Sequence, residues 1–122
     1  MGNYNDLIAS KIMGWKLKSR FSIDGEEIDL EKVNEGKDLL TYCWCDSSNK
    51  PICYRDMFNP VRNKNQLDYI KEKLSIDNLI FFCMNGTTKI IIKSNGKTYK
   101  ALDKDISKAF YFALLKITKN YN

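Results

Sequence analysis

Between Thr41 and Arg62 the chain reads TYCWCDSSNKPICYRDMFNPVR, and this stretch concentrates the side chains that could do chemistry. It holds Cys43, Cys45 and Cys53 of the four cysteines, Trp44 of the two tryptophans, and Arg55 and Arg62 of the three arginines. Three thiolates, with Cys83 as a fourth, would be a donor set for zinc. Structural zinc sites, however, take cysteines from turns with roughly two to four residues between them. Here C-x-C falls in a strand-like run, where alternation puts Cys43 and Cys45 on one face and Trp44 on the other. Neighbours on one face of one strand also lack disulfide geometry. The cysteines therefore read as free thiols, small and apolar, buried against a helix.

The opposite face carries different chemistry. If the six residues Asp46–Pro51 form the loop of a hairpin, Trp44 lies opposite Cys53 and Tyr42 opposite Arg55. Tyr42, Trp44 and Arg55 then share a face of two π surfaces and a guanidinium, which suits a nucleobase with a phosphate. A one-residue change in the loop reverses that parity. The alternative is that Tyr42 and Trp44 are core. Phe58 is a further candidate for stacking on a base, or else a hydrophobic staple under the second helix. Asn59 can hydrogen-bond a ribose or base edge, Arg62 can pair with phosphate, and Lys97 and Lys100 add positive field.

Much common chemistry is missing. The chain has no histidine, which removes the usual general base, the usual partner of a catalytic cysteine and the commonest metal ligand. The glycines stand singly at turns, so no phosphate-cradling loop is present. A binding protein with no catalytic residues, metal or cofactor is the expectation.

These residues must be positioned by one domain, 1–122, because 122 residues can bury one core and not two independent ones. The longest apolar run, residues 79–84, is far below the roughly 20 residues of a membrane helix, and the N-terminus lacks a signal-peptide pattern. The expected compartment is the cytosol, where thiols stay reduced. Charge is uneven. Eight lysines and two aspartates lie between Gly86 and Lys119, whereas residues 1–62 carry nine basic and ten acidic side chains. A basic C-terminal third is compatible with a phosphate-bearing partner or with a solvated lysine face.

The elements follow from periodicity and punctuation. A first helix is expected at 4–13, capped by Asn3 or Asn5 and closed by Gly14. Residues 15–23 alternate as a strand, DGEE turns into a short segment around Ile28 and Leu30, and 31–38 reads as a loop. Leu39–Cys45 and Ile52–Tyr54 read as paired strands. A second helix at about 60–74 is capped either by Asn59 or by Asn63, with Leu67, Ile70 and Leu74 as its buried stripe. Two strands flank Asn85-Gly86, the strongest hairpin signal in the chain. SNGK turns into a further strand, and a last helix spans 103–119 with Asp103 as cap. The fold class is α+β, an antiparallel sheet with packed helices.

Three segments carry a family resemblance: NDLIASKIMGW (5–15), FNPVRNKNQLDYIKEKL (58–74) and KAFYFALLK (108–116). In order and spacing they resemble small phage proteins of the ABA-sandwich type, and within that group the first Thoeris anti-defence family of phages and prophages. Thoeris is a bacterial immune system whose TIR-domain enzyme makes a cyclic ADP-ribose isomer from NAD. The resemblance implies a sponge that binds this signal, glycocyclic ADP-ribose, without cleaving it. It implies a homo-oligomer, a dimer or trimer of dimers, with pockets between protomers; some members also take up cyclic oligonucleotides at a second site. No membrane is implied, and nucleic acid is not the partner it leads one to expect. The turn here is FNPVRN where relatives carry serine or threonine after proline, and the last helix has lysines but no arginine. Phosphate binding would then fall to Lys104 or Lys108, or to Arg55 and Arg62. The alternative reading is a basic phage protein that binds nucleic acid or a protein partner.

Overall fold

A side-chain cap starts the first helix. In the computed structural model, which describes residues 3–19 and 42–120, the Asn3 Oδ1 accepts the Asp6 N–H at 2.8 Å. The α-helical turn α1 (Tyr4–Leu7) continues as a π-helix over Ile8–Ile12, where the Met13 N–H donates to the Ile8 carbonyl at 2.9 Å. Gly14, at φ +72°, closes it in the left-handed conformation. The Trp15 N–H then reaches back six residues to the Ala9 carbonyl at 3.0 Å, one residue further than the long bond of a Schellman cap, as the wider π-helical turn requires. The expected helix 4–13 is therefore present, its second half wound more loosely than expected.

The chain divides into two units, Met1–Asn59 and Pro60–Asn122. In the first, β1 (Lys16–Ser19), β2 (Tyr42–Cys45) and β3 (Pro51–Tyr54) form an antiparallel sheet in that order, with β2 central. Ile8, Ile12, Trp15, Leu17, Trp44 and Phe58 are all buried. The expectations for residues 20–41, including the segment around Ile28 and Leu30 and the start of a strand at Leu39, lie outside the described residues.

The second unit opens with α2 (Lys64–Lys73), capped by the Asn63 Oδ1, which accepts the Gln66 N–H at 3.0 Å. Of the two caps weighed from sequence, Asn63 is the one used, so the helix starts four residues later than 60. After it, β4 (Ile76–Met84), β5 (Thr87–Ser94) and β6 (Lys97–Asp103) form a second antiparallel meander. Its turns are Asn85-Gly86 and Asn95-Gly96, with φ +53°, +76°, +52° and +78°, the double left-handed geometry that suits the twist of a two-residue hairpin. Ser94 ties this sheet to the end of α2, its hydroxyl lying 2.8 Å from the Leu74 carbonyl.

The last helix, α3 (Ile106–Asn120), packs across β5 and β6 with Ala109, Phe110, Ala113, Leu114 and Ile117 buried. Phe110 meets Phe81 of β4 edge-on at 5.5 Å. The cap of α3 is Asp105, whose Oδ1 accepts the Ser107 N–H at 2.9 Å and the Lys108 N–H at 3.3 Å. Asp103, the expected cap, instead accepts the Asp105 N–H at 3.0 Å, two residues too early to serve the helix. That hydrogen bond, aided by Lys108 at 3.5 Å, holds the Asp103 carboxyl below its ordinary pKa.

The class is α+β, as the pattern of elements implies, and the strands form two three-stranded sheets where one was expected. The physical reason is that β1–β3 and β4–β6 each complete their pairing within their own unit. Among the described residues no helix is long and apolar enough to cross a membrane.

Candidate functional site

The hairpin of β2 and β3 is built around Asp46. Its backbone N–H donates to the Lys50 carbonyl at 3.0 Å, and its Oδ1 accepts the N–H groups of Ser48 and Lys50 at 2.9 and 3.0 Å. Asn49 takes the left-handed conformation, φ +62°, and its Oδ1 accepts from the Lys18 Nζ at 2.5 Å. Lys18 is buried and comes from β1, so an ammonium from the far edge strand pins the tip of the loop.

The register is Cys43↔Tyr54 and Trp44↔Cys53, the parity that a six-residue loop implies, but Cys45 pairs with Pro51. Ile52 is thus the extra residue of a bulge, and the loop tightens without turning the face over. Tyr42 is half-buried and Trp44 is fully buried, its indole N–H without a hydrogen-bond partner among the described residues. Both sides of β2 are covered, because Cys43 and Cys45 are buried as well, with their Sγ atoms 4.0 Å apart. That separation is about twice a disulfide bond. Among the described residues, no group of three or more metal-ligating side chains is placed to hold an ion.

Burial is also what perturbs the thiols. It pushes Cys45 and Cys53 up from 9.0 to about 11, and neighbouring Cys43 adds to both shifts. These are inert thiols. The expectation of buried thiols is met by Cys43 and Cys45, while Cys53 is half-buried and Cys83 is exposed. Cys83 lies on the edge strand β4 near its hairpin end, beyond the most buried part of the sheet.

Arg55 is placed differently from the face-sharing expectation. The chain leaves the strand at Tyr54 and enters a 3-10 turn, Arg55–Met57. The guanidinium then pairs with Asp6 of α1, with Nη2 2.7 Å from Oδ2 and Nε 3.2 and 3.3 Å from the two oxygens. Both side chains are nearly buried, so Arg55 is engaged in holding the turn to the first helix. Phe58 is buried too, its ring edge-on to Trp15 at 5.3 Å and 65°. Sequence reasoning missed Asp6, because a carboxylate in a first turn is accounted for by the helix dipole alone. It also missed Lys18, which reads as one more strand lysine. No short-range signal marks either partner, since Asp6 and Arg55 are 49 residues apart.

The remaining candidates are half-buried Asn59 in the first unit and exposed Arg62, Lys97 and Lys100 in the second. Lys97 and Lys100 stand on β6, and the Lys100 carbonyl accepts from the Lys116 Nζ at 2.6 Å. Chemically, the first unit is rich in buried aromatic side chains, and the second carries exposed cations, Lys97 and Lys100 on β6 and Arg62 ahead of α2. No family model, curated protein or solved structure matches this chain.

Proposed function

We propose that this chain binds and sequesters a cyclic ADP-ribose-type immune signal without cleaving it, as a Thoeris anti-defence protein acting in the cytosol of a bacterial host. The reading rests on the order of the three sequence segments that resemble that family. The observation that carries it furthest is the contact of Trp15 with Phe58, which brings the MGW end of the first segment against the start of the second. The absence of histidine from the sequence agrees with binding without hydrolysis.

Within this proposal the roles of the candidate residues separate. Trp44, Phe58 and Arg55 form the frame, because their side chains are buried or paired within the first unit. In the first unit, half-buried Tyr42 and Asn59 are the candidates for contact with a base or ribose; in the second, exposed Arg62, Lys97 and Lys100 are the candidates for contact with a diphosphate. A sponge that outcompetes a sensor needs nanomolar affinity, about −12 kcal/mol. Enclosure between two copies of the chain is the expected means, as a homo-oligomer, and glycocyclic ADP-ribose is the proposed ligand.

The test is to mix the purified protein with cyclic ADP-ribose isomers, remove free ligand, heat-denature and identify what is released. Intact signal in a fixed ratio to protein is the expected result, with a raised melting temperature beforehand. Release of linear ADP-ribose would point to an enzyme. No uptake, together with salt-dependent binding to DNA or RNA, would favour the nucleic-acid reading.

A further inference from the structure

The β4–β5–β6 sheet has one covered face and one open one. Register places Phe81, Ile90 and Ala101 in one cross-strand row and Leu79, Ile92 and Tyr99 in another, on the face that α3 covers. The alternate positions make the opposite face. Its rows are Phe82–Lys89–Leu102, then Ile80–Ile91–Lys100, then Asn78–Lys93–Thr98. Leu102 is 66% exposed, Met84 57%, Phe82 50% and Ile80 44%. A two-residue alternation normally gives such a face polar residues, so this many large apolar side chains on it require an explanation.

We propose that this open face docks a single acidic amphipathic helix from a partner protein. Size is the first argument. Three strands about 4.8 Å apart make a face that one helix, about 10 Å across, can cover. On the other side of the same sheet α3 covers β5 and β6 and reaches Phe81 of β4, with α2 also in contact with β4. Charge is the second argument. The open rows contain three lysines and no carboxylate, so the complementary surface is apolar with acidic flanks.

The same charges discriminate among other occupants. A second copy presenting the same face would set Lys89, Lys93 and Lys100 against their own counterparts, an unfavourable pairing. A bilayer is disfavoured because Lys89 stands on the central strand between Phe82 and Leu102, breaking any continuous apolar layer. Single-stranded nucleic acid is stacked by several aromatic rings on a sheet, and in these rows Phe82 stands alone. Helix docking does not rest on signal sequestration; both readings use Lys100, so the two exclude each other at that side chain, and the test leaves Lys100 intact.

The test uses the full chain and two fluorescein-labelled synthetic helical peptides with the same Leu/Ile stripe. One is flanked by glutamates and the other by lysines, and binding is read by fluorescence anisotropy. The glutamate peptide is expected to bind about ten-fold tighter than the lysine peptide, and less so at high salt. Phe82→Ser should weaken it about ten-fold with little change in melting temperature, because this anchor is exposed in the unbound protein. Lys89→Glu should narrow the preference between the two peptides, because Lys93 and Lys100 then face one new carboxylate and the rows stay net positive. Equal affinity for both peptides, or no saturable binding of either, would overturn the proposal. So would binding of phosphatidylserine vesicles or oligo-dT in place of the glutamate peptide, or self-association abolished by Phe82→Ser.

Discussion

The Arg55 guanidinium grips the Asp6 carboxylate at 2.7 Å, joining the turn after β3 to the first turn of the chain's first helix. Both groups are nearly buried, so neither can turn to water if the other is removed. Asp6→Ala or Arg55→Ala should each lower unfolding free energy by about 3–5 kcal/mol, since each removes one partner of a nearly buried ion pair. The double variant should be less destabilised than the sum of the two. Urea titration of all four proteins checks this; strict additivity would mean that the pair is not coupled.

The Trp15–Phe58 edge contact makes a second prediction. Phe58→Ala should cost about 3–5 kcal/mol, and Phe58→Leu clearly less, as expected for a buried ring. Gly14→Ala should cost on the order of 1 kcal/mol, because a side chain is disfavoured at φ +72°, although nothing lies within 4 Å of the added carbon. Trp44→Phe should cost less than Phe58→Ala, since it leaves a smaller cavity and removes a buried donor that has no partner among the described residues. Thermal or urea denaturation ranks these variants.

The thiols give a chemical and a pH signature. In the native protein iodoacetamide should modify exposed Cys83 first and leave Cys45 almost untouched, with all four cysteines reacting after denaturation. Peptide mass spectrometry reads the order. Because Cys45 and Cys53 titrate near 11 when folded and near 9.0 otherwise, the folded state keeps protons that the unfolded chain gives up. Their contribution is complete below pH 9.0 and is lost progressively as the pH rises towards about 11. Replacing both by alanine should flatten the fall in melting temperature over that window.

For ligand uptake, Arg62→Ala and Lys97→Ala should each weaken binding of the cyclic ADP-ribose signal by about ten-fold, the scale of one charge-assisted hydrogen bond. Both side chains are exposed, so melting temperatures without ligand should stay unchanged. Isothermal titration separates the two effects. Unaltered affinity in the double variant would remove these residues from the proposed site.

Local rules account for what could be read without a structure. Asn3, Gly14 and Asn63 act through atoms a few residues away, and the Asn-Gly pairs at 85–86 and 95–96 impose their own backbone geometry. The strand parity at Trp44 follows from counting the loop, and Ile52 bulges without upsetting it. Where a nearer residue competes, as Asp105 does with Asp103, local reading slips by a turn or less.

The sequence by itself determined the α+β class, the punctuation of its elements and the alternation that sorts Cys43 and Cys45 from Trp44. Those depend on dihedral preferences and short-range hydrogen bonds, which residue type and spacing encode directly. That Arg55 pairs with Asp6, that Phe58 lies against Trp15, and that one face of the second sheet carries exposed apolar side chains became visible only in the folded chain. Each of those outcomes depends on which distant groups the fold brings together. An arginine or a phenylalanine has the same local signature whether its partner is a ligand or another part of its own chain.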